Sequence, residues 1–236
     1  MNIVIDTHSH TIASGHAYNT IEEMAKAASE KGIKLLAITE HAPNMPGTCH
    51  DFYFHNLKVV TRMRHGVELL LGVELNVIDY EGNVDLDDET LRGLDIAIAS
   101  LHVPCIKPGS MDENTNALIG AMKNPHVKII GHPDDSKYPL DYERLVKAAK
   151  EHHVLLELNN NSLNPNGFRL NAKENDIKML NLCKEYGVPI TLGSDAHVAE
   201  DIANYCYSKE ILEITDFPED LIMNTSIERF KAFLQS

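Results

Sequence analysis

Residues 2–16 read NIVIDTHSHTIASGH, and the rest of the chain repeats the pattern found there. A short apolar run leads directly into polar sequence that contains His8, His10 and His16. A near-continuous run of branched apolar residues is typical of a parallel strand that is buried on both faces. The stretch therefore predicts a buried strand whose carboxyl end carries imidazole groups.

Six further apolar runs follow, and helix-like segments separate them. The runs are LLAIT (35–39), ELLLGV (68–73), LDIAIAS (94–100), VKIIG (127–131), VLLEL (154–158) and PITLG (189–193). Helices are predicted over 20–32, 51–66, 140–153 and 171–187, and the first begins with a capping box formed by Thr20 and Glu23. This alternation predicts an α/β fold, a closed or nearly closed parallel barrel, although an open doubly wound sheet has the same periodicity. A length of 236 residues suits one domain over 1–236.

The composition excludes several classes of protein. The formal net charge is −14 with histidine neutral, and so acidic a chain repels a phosphate backbone, which disfavours nucleic acid as a partner. No apolar run has the length of a membrane span, and the first residues do not resemble a signal peptide, so we expect a cytoplasmic protein without membrane contact. The four cysteines include no CxxC pair, so we expect neither disulfides nor a thiolate zinc site.

Six of the seven predicted strands end in histidine or an acidic residue. These residues, with His16 from the first loop, are His8, His10, His16, His41, Glu74, His102, His132, Asp195 and His197. The carboxyl ends of parallel strands meet at one mouth, whether the sheet is a barrel or open. Imidazoles crowded beside two carboxylates are costly to desolvate without cations. The set therefore predicts a site for two or three divalent ions, with zinc favoured and iron or manganese as alternatives.

Asp6 is a candidate for supporting one of these ligands. Asp6, His8 and His10 point to the same side of an extended chain. The Asp6 carboxylate is therefore expected to accept a hydrogen bond from a ligating imidazole and fix its orientation, and an acid that caps the following turn is the alternative.

The motifs resemble those of the PHP family, named for polymerase and histidinol phosphatase domains, and most closely its YcdX-type phosphatases. DTHSHTIASGHAY, GIKLLAITEH, GVELN, LHVP, GHP and GSDAH occur in the family's order and spacing. The resemblance implies a distorted (β/α)7 TIM-like barrel with three metal ions, usually zinc, at the carboxyl ends of the strands. It assigns one ion to His8, His10, Glu74 and Asp195, a second to Glu74, His102 and His132, and a third to His16, His41 and His197.

The segment NNNSLNPNGFRLNAKEN (159–175) is less familiar, and it follows the one strand without a predicted ligand. Arg169 is a candidate to clamp a phosphate group, and Asn160 or Ser162 to form a hydrogen bond with it. A solvated loop charge is the alternative interpretation of Arg169.

We expect phosphomonoester hydrolysis, in which a metal-bound hydroxide attacks a small-molecule phosphoester. Glu74, Asp195 and His197 are the expected catalytic residues, and the two acids both hold ions and are candidates to relay a proton. The alternatives are a phosphodiesterase, an amidohydrolase and a metal-binding regulatory or interaction module without turnover. An amidohydrolase is disfavoured because Glu74 stands at the bridging position and no strand ends in lysine.

Overall fold

The computed structural model describes residues 1–236, and its centre is a barrel of seven parallel strands. An eighth, antiparallel strand pairs only with the amino-terminal end of β4. In chain order the strands are β1 (Ile5–Asp6), β2 (Leu35–His41), β3 (Met63–Arg64), β4 (Val67–Asn76), β5 (Ala97–Ser100), β6 (Val127–Ile130), β7 (Leu155–Asn159) and β8 (Ile190–Gly193). The parallel strands are ordered β1-β2-β4-β5-β6-β7-β8, which confirms the predicted seven-stranded barrel.

Eight α-helices accompany the strands. They are α1 (Ile21–Glu30), α2 (Asp51–Asn56), α3 (Asp88–Arg92), α4 (Met111–Met122), α5 (Tyr142–His152), α6 (Ala172–Tyr186), α7 (Cys206–Ile214) and α8 (Ile227–Gln235). The predicted capping box of Thr20 and Glu23 is present at the start of α1. A second capping box, formed by Ser110 and Glu113, begins α4, a helix that was not predicted. None of the helices is both long and apolar enough to cross a membrane.

The helix predicted over 51–66 is wrong in its second half. The α-helix ends at Asn56, and Met63–Arg64 instead pairs antiparallel with β4. His65 (φ 50°) and Gly66 (φ 75°) both adopt positive φ angles, as the two central residues of a tight hairpin turn require. Gly66 is the last residue of the predicted helix, but in the structure it makes the turn between β3 and β4.

The barrel closes between β1 and β8 in two ways. Near the mouth, a parallel bridge joins Ser9 to Ala196, and the Asp195 amide donates to the His8 carbonyl (2.9 Å). Deeper in the barrel, the buried side chain of Asn224 lies between the two strands. Its Nδ2 donates to the carbonyl oxygens of Ile5 (3.0 Å) and Leu192 (2.8 Å), and its Oδ1 accepts from the Leu192 amide (2.7 Å). A side-chain amide thus replaces the backbone pairs that the sheet lacks there.

Two apolar cores lie on either side of the sheet. The larger, with 47 buried residues, lies between the strands and the surrounding helices. The smaller, with 11, fills the barrel, and Phe230 and Phe233 of α8 close its amino-terminal end together with Met223. Because the interior is filled from this end, polar groups collect at the opposite, carboxyl-terminal mouth.

Candidate metal centre

The structure brings all nine predicted ligand residues together at the carboxyl-terminal mouth. Seven of them are buried, His197 is partly buried, and His16 is exposed at the rim. Three groups place their donor atoms within 4.8 Å of one another: His8, His10 and Glu74; His41, Glu74 and His102; and His10, His41 and His197. Glu74 and the buried histidines form the centre of the cluster.

Glu74 faces different histidines with its two oxygen atoms. Its Oε1 lies 2.7 Å from His132 Nε2 and 3.1 Å from His102 Nε2. Its Oε2 lies 3.3 Å from His8 Nε2 and 3.5 Å from His10 Nε2. A carboxylate with this arrangement has the geometry to bridge two cations.

Asp195 approaches the same pair of histidines as Glu74 Oε2. Its Oδ1 lies 3.3 Å from His10 Nε2 and 3.7 Å from His8 Nε2. Burial alone raises the pKa of Asp195, but His8, His10 and His197 outweigh this and hold the pKa well below its ordinary value. The site therefore favours an ionised Asp195.

The remaining histidines stack near the rim. The ring centroid of His16 lies 4.8 Å from that of His41 and 5.0 Å from that of His197. His41 also approaches the centre, because its Nδ1 is 2.8 Å from Glu74 Oε2. His41 thus connects the rim histidines with the Glu74 cluster.

Glu157, in the interior of β7, holds two of the histidines and was not predicted. His8 Nδ1 donates to its Oε1 (2.8 Å), and the His132 amide donates to its Oε2 (2.8 Å). Gly193 allows this approach, since a Cβ there would lie 1.9 Å from Glu157 Oε1. The signal in the sequence is an acidic residue inside an otherwise apolar strand, VLLEL.

Glu40 was not predicted to belong to the site. It acts through Ser14, whose hydroxyl donates to Glu40 Oε2 (2.5 Å) and accepts from His10 Nδ1 (3.1 Å). A similar connection exists at His102, whose Nδ1 donates to Asn76 Oδ1 (2.7 Å). In each case the contact fixes the imidazole tautomer and leaves Nε2 without a proton.

The protonation and hydrogen bonding of the donor atoms are those expected of residues that bind a cation. His8 Nδ1 donates its proton to Glu157, and His10 Nδ1 donates its proton to Ser14, so neither Nε2 atom carries a proton. The two Nε2 atoms lie 3.1 Å apart with their lone pairs facing each other. Glu74 Oε2 and His41 Nδ1 lie 2.8 Å apart, yet both are buried and neither makes a hydrogen bond of suitable geometry. Facing lone pairs and orphaned acceptors repel one another unless a cation lies among them, and imidazole and carboxylate are the donors that zinc prefers. The residues fit divalent metal ions.

The charges around His8 lead to the same conclusion. Burial alone lowers the pKa of His8, but Glu157, Glu74 and Asp195 outweigh it and raise the pKa well above its ordinary value. The surroundings of this imidazole thus favour positive charge.

The backbone is strained at two of the ligand positions. His132 (φ 30°) and Asp195 (φ 53°) both occupy the left-handed region, which is uncommon for residues other than glycine. Strain of this kind is concentrated at functional sites, where the surrounding structure maintains it.

Asp6 differs from its predicted role. Its carboxylate accepts from the backbone amides of Ser194 (3.0 Å) and Ala203 (2.9 Å), and Glu157 makes the contact with a ligating imidazole instead. Asp6 is fully buried and anchors the loop that carries Asp195. Both of its partners lie far along the chain, so Asp6 does not match the alternative of a cap for the following turn either.

The three predicted phosphate-binding residues differ in their contacts, because Asn160 caps a helix whereas Ser162 and Arg169 contact each other. Asn160 Oδ1 accepts from the amides of Tyr207 (3.0 Å) and Ser208 (3.1 Å) at the start of α7, so it is engaged in the structure of the protein. Ser162 Oγ accepts from Arg169 Nη1 (2.7 Å), which also lies 3.4 Å from Asp195 Oδ2. Arg169 is therefore held at the metal centre and is not a solvated loop charge.

A cavity of about 590 Å³ extends from the cluster, with Arg169 in its wall. Histidines and acids line its inner end. The apolar part of its lining consists mainly of Leu101, Val103, Pro104, Tyr138, Leu140 and Phe168, which we call the apolar chamber. A substrate in this cavity would contact both the polar cluster and the chamber.

Two further acidic residues interact electrostatically with Arg169 and were not predicted from the sequence. Asp134 and Asp176 are fully buried, and none of their four carboxylate oxygens has a hydrogen-bond partner. Burial raises the pKa of Asp134 to about 7, and that of Asp176 well above its ordinary value. Burial alone lowers the pKa of Arg169, but Asp195, Asp134 and the two buried glutamates outweigh it and raise the pKa.

Comparison with known proteins relates the chain to phosphatases. A family model described as "PHP domain" matches residues 6–163. The chain is 48% identical over 236 residues to a "Probable phosphatase" of Clostridium novyi, which covers all of this chain and 96% of the relative. It is 49% identical over 235 residues to a "Probable phosphatase" of Caldicellulosiruptor saccharolyticus, with 100% and 97% coverage.

A solved structure shows the same fold at low sequence identity. Histidinol phosphate phosphatase from Lactococcus lactis, a complex with zinc, L-histidinol and phosphate, matches with a TM-score of 0.61 and 15% identity over 91% of this chain and 94% of that one. The family match covers most of the residues that form the cluster. The chain therefore belongs to the PHP family and is a metal-dependent phosphoesterase.

Proposed function

We propose that the protein hydrolyses small-molecule phosphomonoesters at a centre of three divalent ions, with zinc first and manganese or iron as alternatives. The observation that carries this is the convergence of nine metal-ligand side chains with a fixed arginine at the inner end of one cavity. The relatives named as phosphatases, and the zinc and phosphate bound by the Lactococcus lactis enzyme, support it.

The contacts support a division of the ligands around Glu74. Oε1 would serve an ion held with His102 and His132. Oε2 would serve an ion held with His8 and His10, together with Asp195. His16, His41 and His197 would hold the third ion, nearest the rim.

Divalent ions bound there would neutralise the phosphate charge and lower the pKa of a coordinated water toward neutrality. In the reaction a water oxygen bonds to phosphorus, the bond from phosphorus to the ester oxygen breaks, and the alcohol leaves with a proton. Arg169 would donate hydrogen bonds to the phosphate oxygens, because its guanidinium is held in the cavity wall. Glu74, Asp195 and His197 would be in contact with the reacting group, and the two acids would be positioned to accept a proton.

We propose further that 1–236 acts as one PHP domain. Although the family model matches residues 6–163, Asp195 and His197 belong to the cluster, and Asn224 joins β1 to β8. These residues extend the working unit beyond the matched region.

The test uses protein loaded with metal and analysed for bound ions by mass spectrometry. We expect turnover of an aryl phosphate and an alkyl phosphate, with much slower hydrolysis of a phosphodiester and none of an amide. Preference for the diester would identify a phosphodiesterase. A fully loaded protein inactive on every substrate would identify a binding module and overturn the proposal.

Substitution of a central ligand tests whether bound metal and catalytic rate depend on the same residues. His132→Ala and Glu74→Ala should each reduce bound metal and lower kcat by at least about 100-fold, since each removes a ligand and leaves its partners unpaired. The matched control is His152→Ala at the end of α5, outside the cavity, which should change neither quantity. Unchanged metal content and rate in both central variants would contradict the assignment.

A further inference from the structure

The apolar chamber is more than a route to the metal centre. Its side chains come from the loops after β5, β6 and β7, and they line the same cavity as His102. A cavity of about 590 Å³ is in the range of organic ligand pockets and far exceeds what a phosphate group fills. The alcohol portion of a substrate must therefore occupy the chamber when its phosphate lies at Arg169.

The charges of the cavity disfavour a second anionic group. Arg169 and Lys137 are the only arginine and lysine in its lining. Lys137 Nζ already donates to the Phe168 carbonyl (2.8 Å) and lies 3.6 Å from Asp135 Oδ2. Arg169 and the proposed ions serve the phosphate, so no free lysine or arginine remains for a second anionic group. This favours a neutral alcohol over an alcohol that carries a carboxylate or a second phosphate.

The hydrogen-bonding groups of the chamber disfavour a polyol. The Tyr138 hydroxyl donates to the Ile106 carbonyl (2.7 Å), so the ring presents its apolar surface to the cavity. The neighbouring leucines and proline have no side-chain polar atoms. A sugar packed against these side chains would lose hydration at the hydroxyls that face them without replacement hydrogen bonds there, since the polar atoms of Asp134 and Asn161 belong to other parts of the lining.

Phe168 gives the chamber an aromatic wall at its entrance. Its side chain is 71% exposed, yet it lies between two cations, with Lys137 Nζ 5.2 Å and Arg169 Cζ 5.5 Å from the ring. Such contacts hold an aromatic face in position beside the guanidinium. A large exposed phenylalanine next to a phosphate-binding arginine is suited to cover the organic part of a bound ester.

We propose that the apolar chamber binds the alcohol portion of the substrate and selects phosphomonoesters of neutral, apolar alcohols or phenols over sugar phosphates and nucleotides. The inference rests on the proposed phosphatase function, because it requires the phosphate to lie at the metal centre. Phe168 is the specificity-determining residue that it singles out.

The test measures binding of unreactive phosphonates to the metal-loaded protein by calorimetry, which removes differences in leaving-group reactivity. The ligands are ethyl-, butyl-, 2-phenylethyl- and 2,3-dihydroxypropylphosphonate. We expect affinity to rise about fourfold for each buried methylene group, and the dihydroxypropyl compound to bind no better than the ethyl one. Equal affinities, or tighter binding of the dihydroxypropyl compound, would overturn the inference.

Phe168→Ala provides the second arm. The substitution should weaken the binding of 2-phenylethylphosphonate by about tenfold and that of ethylphosphonate by less than twofold. The matched control is Phe52→Ala, because Phe52 is 70% exposed and lies outside the cavity. It should leave both affinities unchanged. Equal weakening of both ligands by Phe168→Ala would show that Phe168 acts only through Arg169, and would refute the selection.

The same measurements separate failure of the inference from failure of the proposed function. If simple alkyl phosphates are hydrolysed but the phosphonates bind equally, only the chamber inference fails. If the loaded protein binds no phosphonate and hydrolyses no ester, both fail.

Discussion

The side chains that hold the histidines are as informative as the histidines themselves. Glu157 accepts three hydrogen bonds, from His8 Nδ1, the His132 amide and Asn159 Nδ2 (3.1 Å). It thereby joins ligands from β1 and β6 to the interior of β7. All three of its partners are donors, so the position requires two acceptor oxygens.

Glu157→Gln should weaken metal binding about 10- to 100-fold, the usual effect of losing a partner that orients a metal ligand. The new amide would direct N–H groups toward donors, so at least one contact is lost. Affinity is measured by competition with a chelating dye, and circular dichroism reports whether the variant folds. Glu185→Gln, on the exposed surface of α6, is the control. A folded Glu157→Gln protein with unchanged affinity would contradict this role.

At the level of the elements, the barrel depends on how β1 and β8 are joined. β1 contains only two residues, so it offers few ladder hydrogen bonds of its own. Asn224 supplies contacts to both strands from a segment just before α8, and the Val4 amide donates to its backbone carbonyl (3.0 Å). The strands that carry His8 and Asp195 are thus held together below the site.

Asn224→Leu should lower the free energy of unfolding by about 3–5 kcal/mol. The substitution preserves bulk but leaves the buried Leu192 amide without its acceptor, at about 1–3 kcal/mol. It also removes the two bonds that Asn224 donates to the Ile5 and Leu192 carbonyl oxygens, which keep only the hydroxyls of Tyr205 and Thr7, at about 1 kcal/mol each. The measurement is the urea midpoint with and without metal. Asn116→Leu, an exposed position in α4, is the control and should shift the free energy by less than about 0.5 kcal/mol. A similar midpoint for both variants would show that Asn224 does not join the strands.

At the level of the whole molecule, the two apolar cores and the polar cluster make separate contributions. The 47- and 11-residue cores need no ion, whereas the cluster confines orphaned acceptors and facing lone pairs. The fold should therefore survive metal removal, but with less stability.

Removal of metal by a chelator should lower Tm by at least roughly 8–16 °C, the contribution of a single ion, relative to protein in metal at about 1,000 times Kd. A bound ion at that concentration contributes about 4 kcal/mol, and each kcal/mol corresponds to about 2–4 °C in a chain of this size. Scanning calorimetry measures Tm, and far-ultraviolet circular dichroism should retain the α/β signal. The metal should restore Tm when it is added back. An unchanged Tm after verified metal loss would mean that the cluster does not need cations.

Much of the fold could be predicted because burial leaves a strong pattern. Strands buried on both faces appear as apolar runs, and the residues after them must meet at one mouth, which brings His8 and Asp195 together across the chain. Glu157 was missed because a single acid inside an apolar strand does not change that pattern. Glu40 was missed because alternation describes its direction correctly, but not the serine through which it reaches His10. The turn at His65 and Gly66 was missed because a glycine that ends a helix and one that makes a hairpin look alike in sequence.

The placement of Asn224 has a consequence for how the protein is made. The ribosome synthesises the strands in chain order, so β1 is made long before β8, the strand on which it closes the barrel. At about 5–20 residues per second, more than 200 residues separate Ile5 from the amide that secures it, which amounts to roughly 10–40 seconds of synthesis. Until then the nascent sheet has two open edges, and the ligands on β1 and β8 are not yet neighbours. Assembly of the complete metal centre therefore follows synthesis of the segment that carries Asn224.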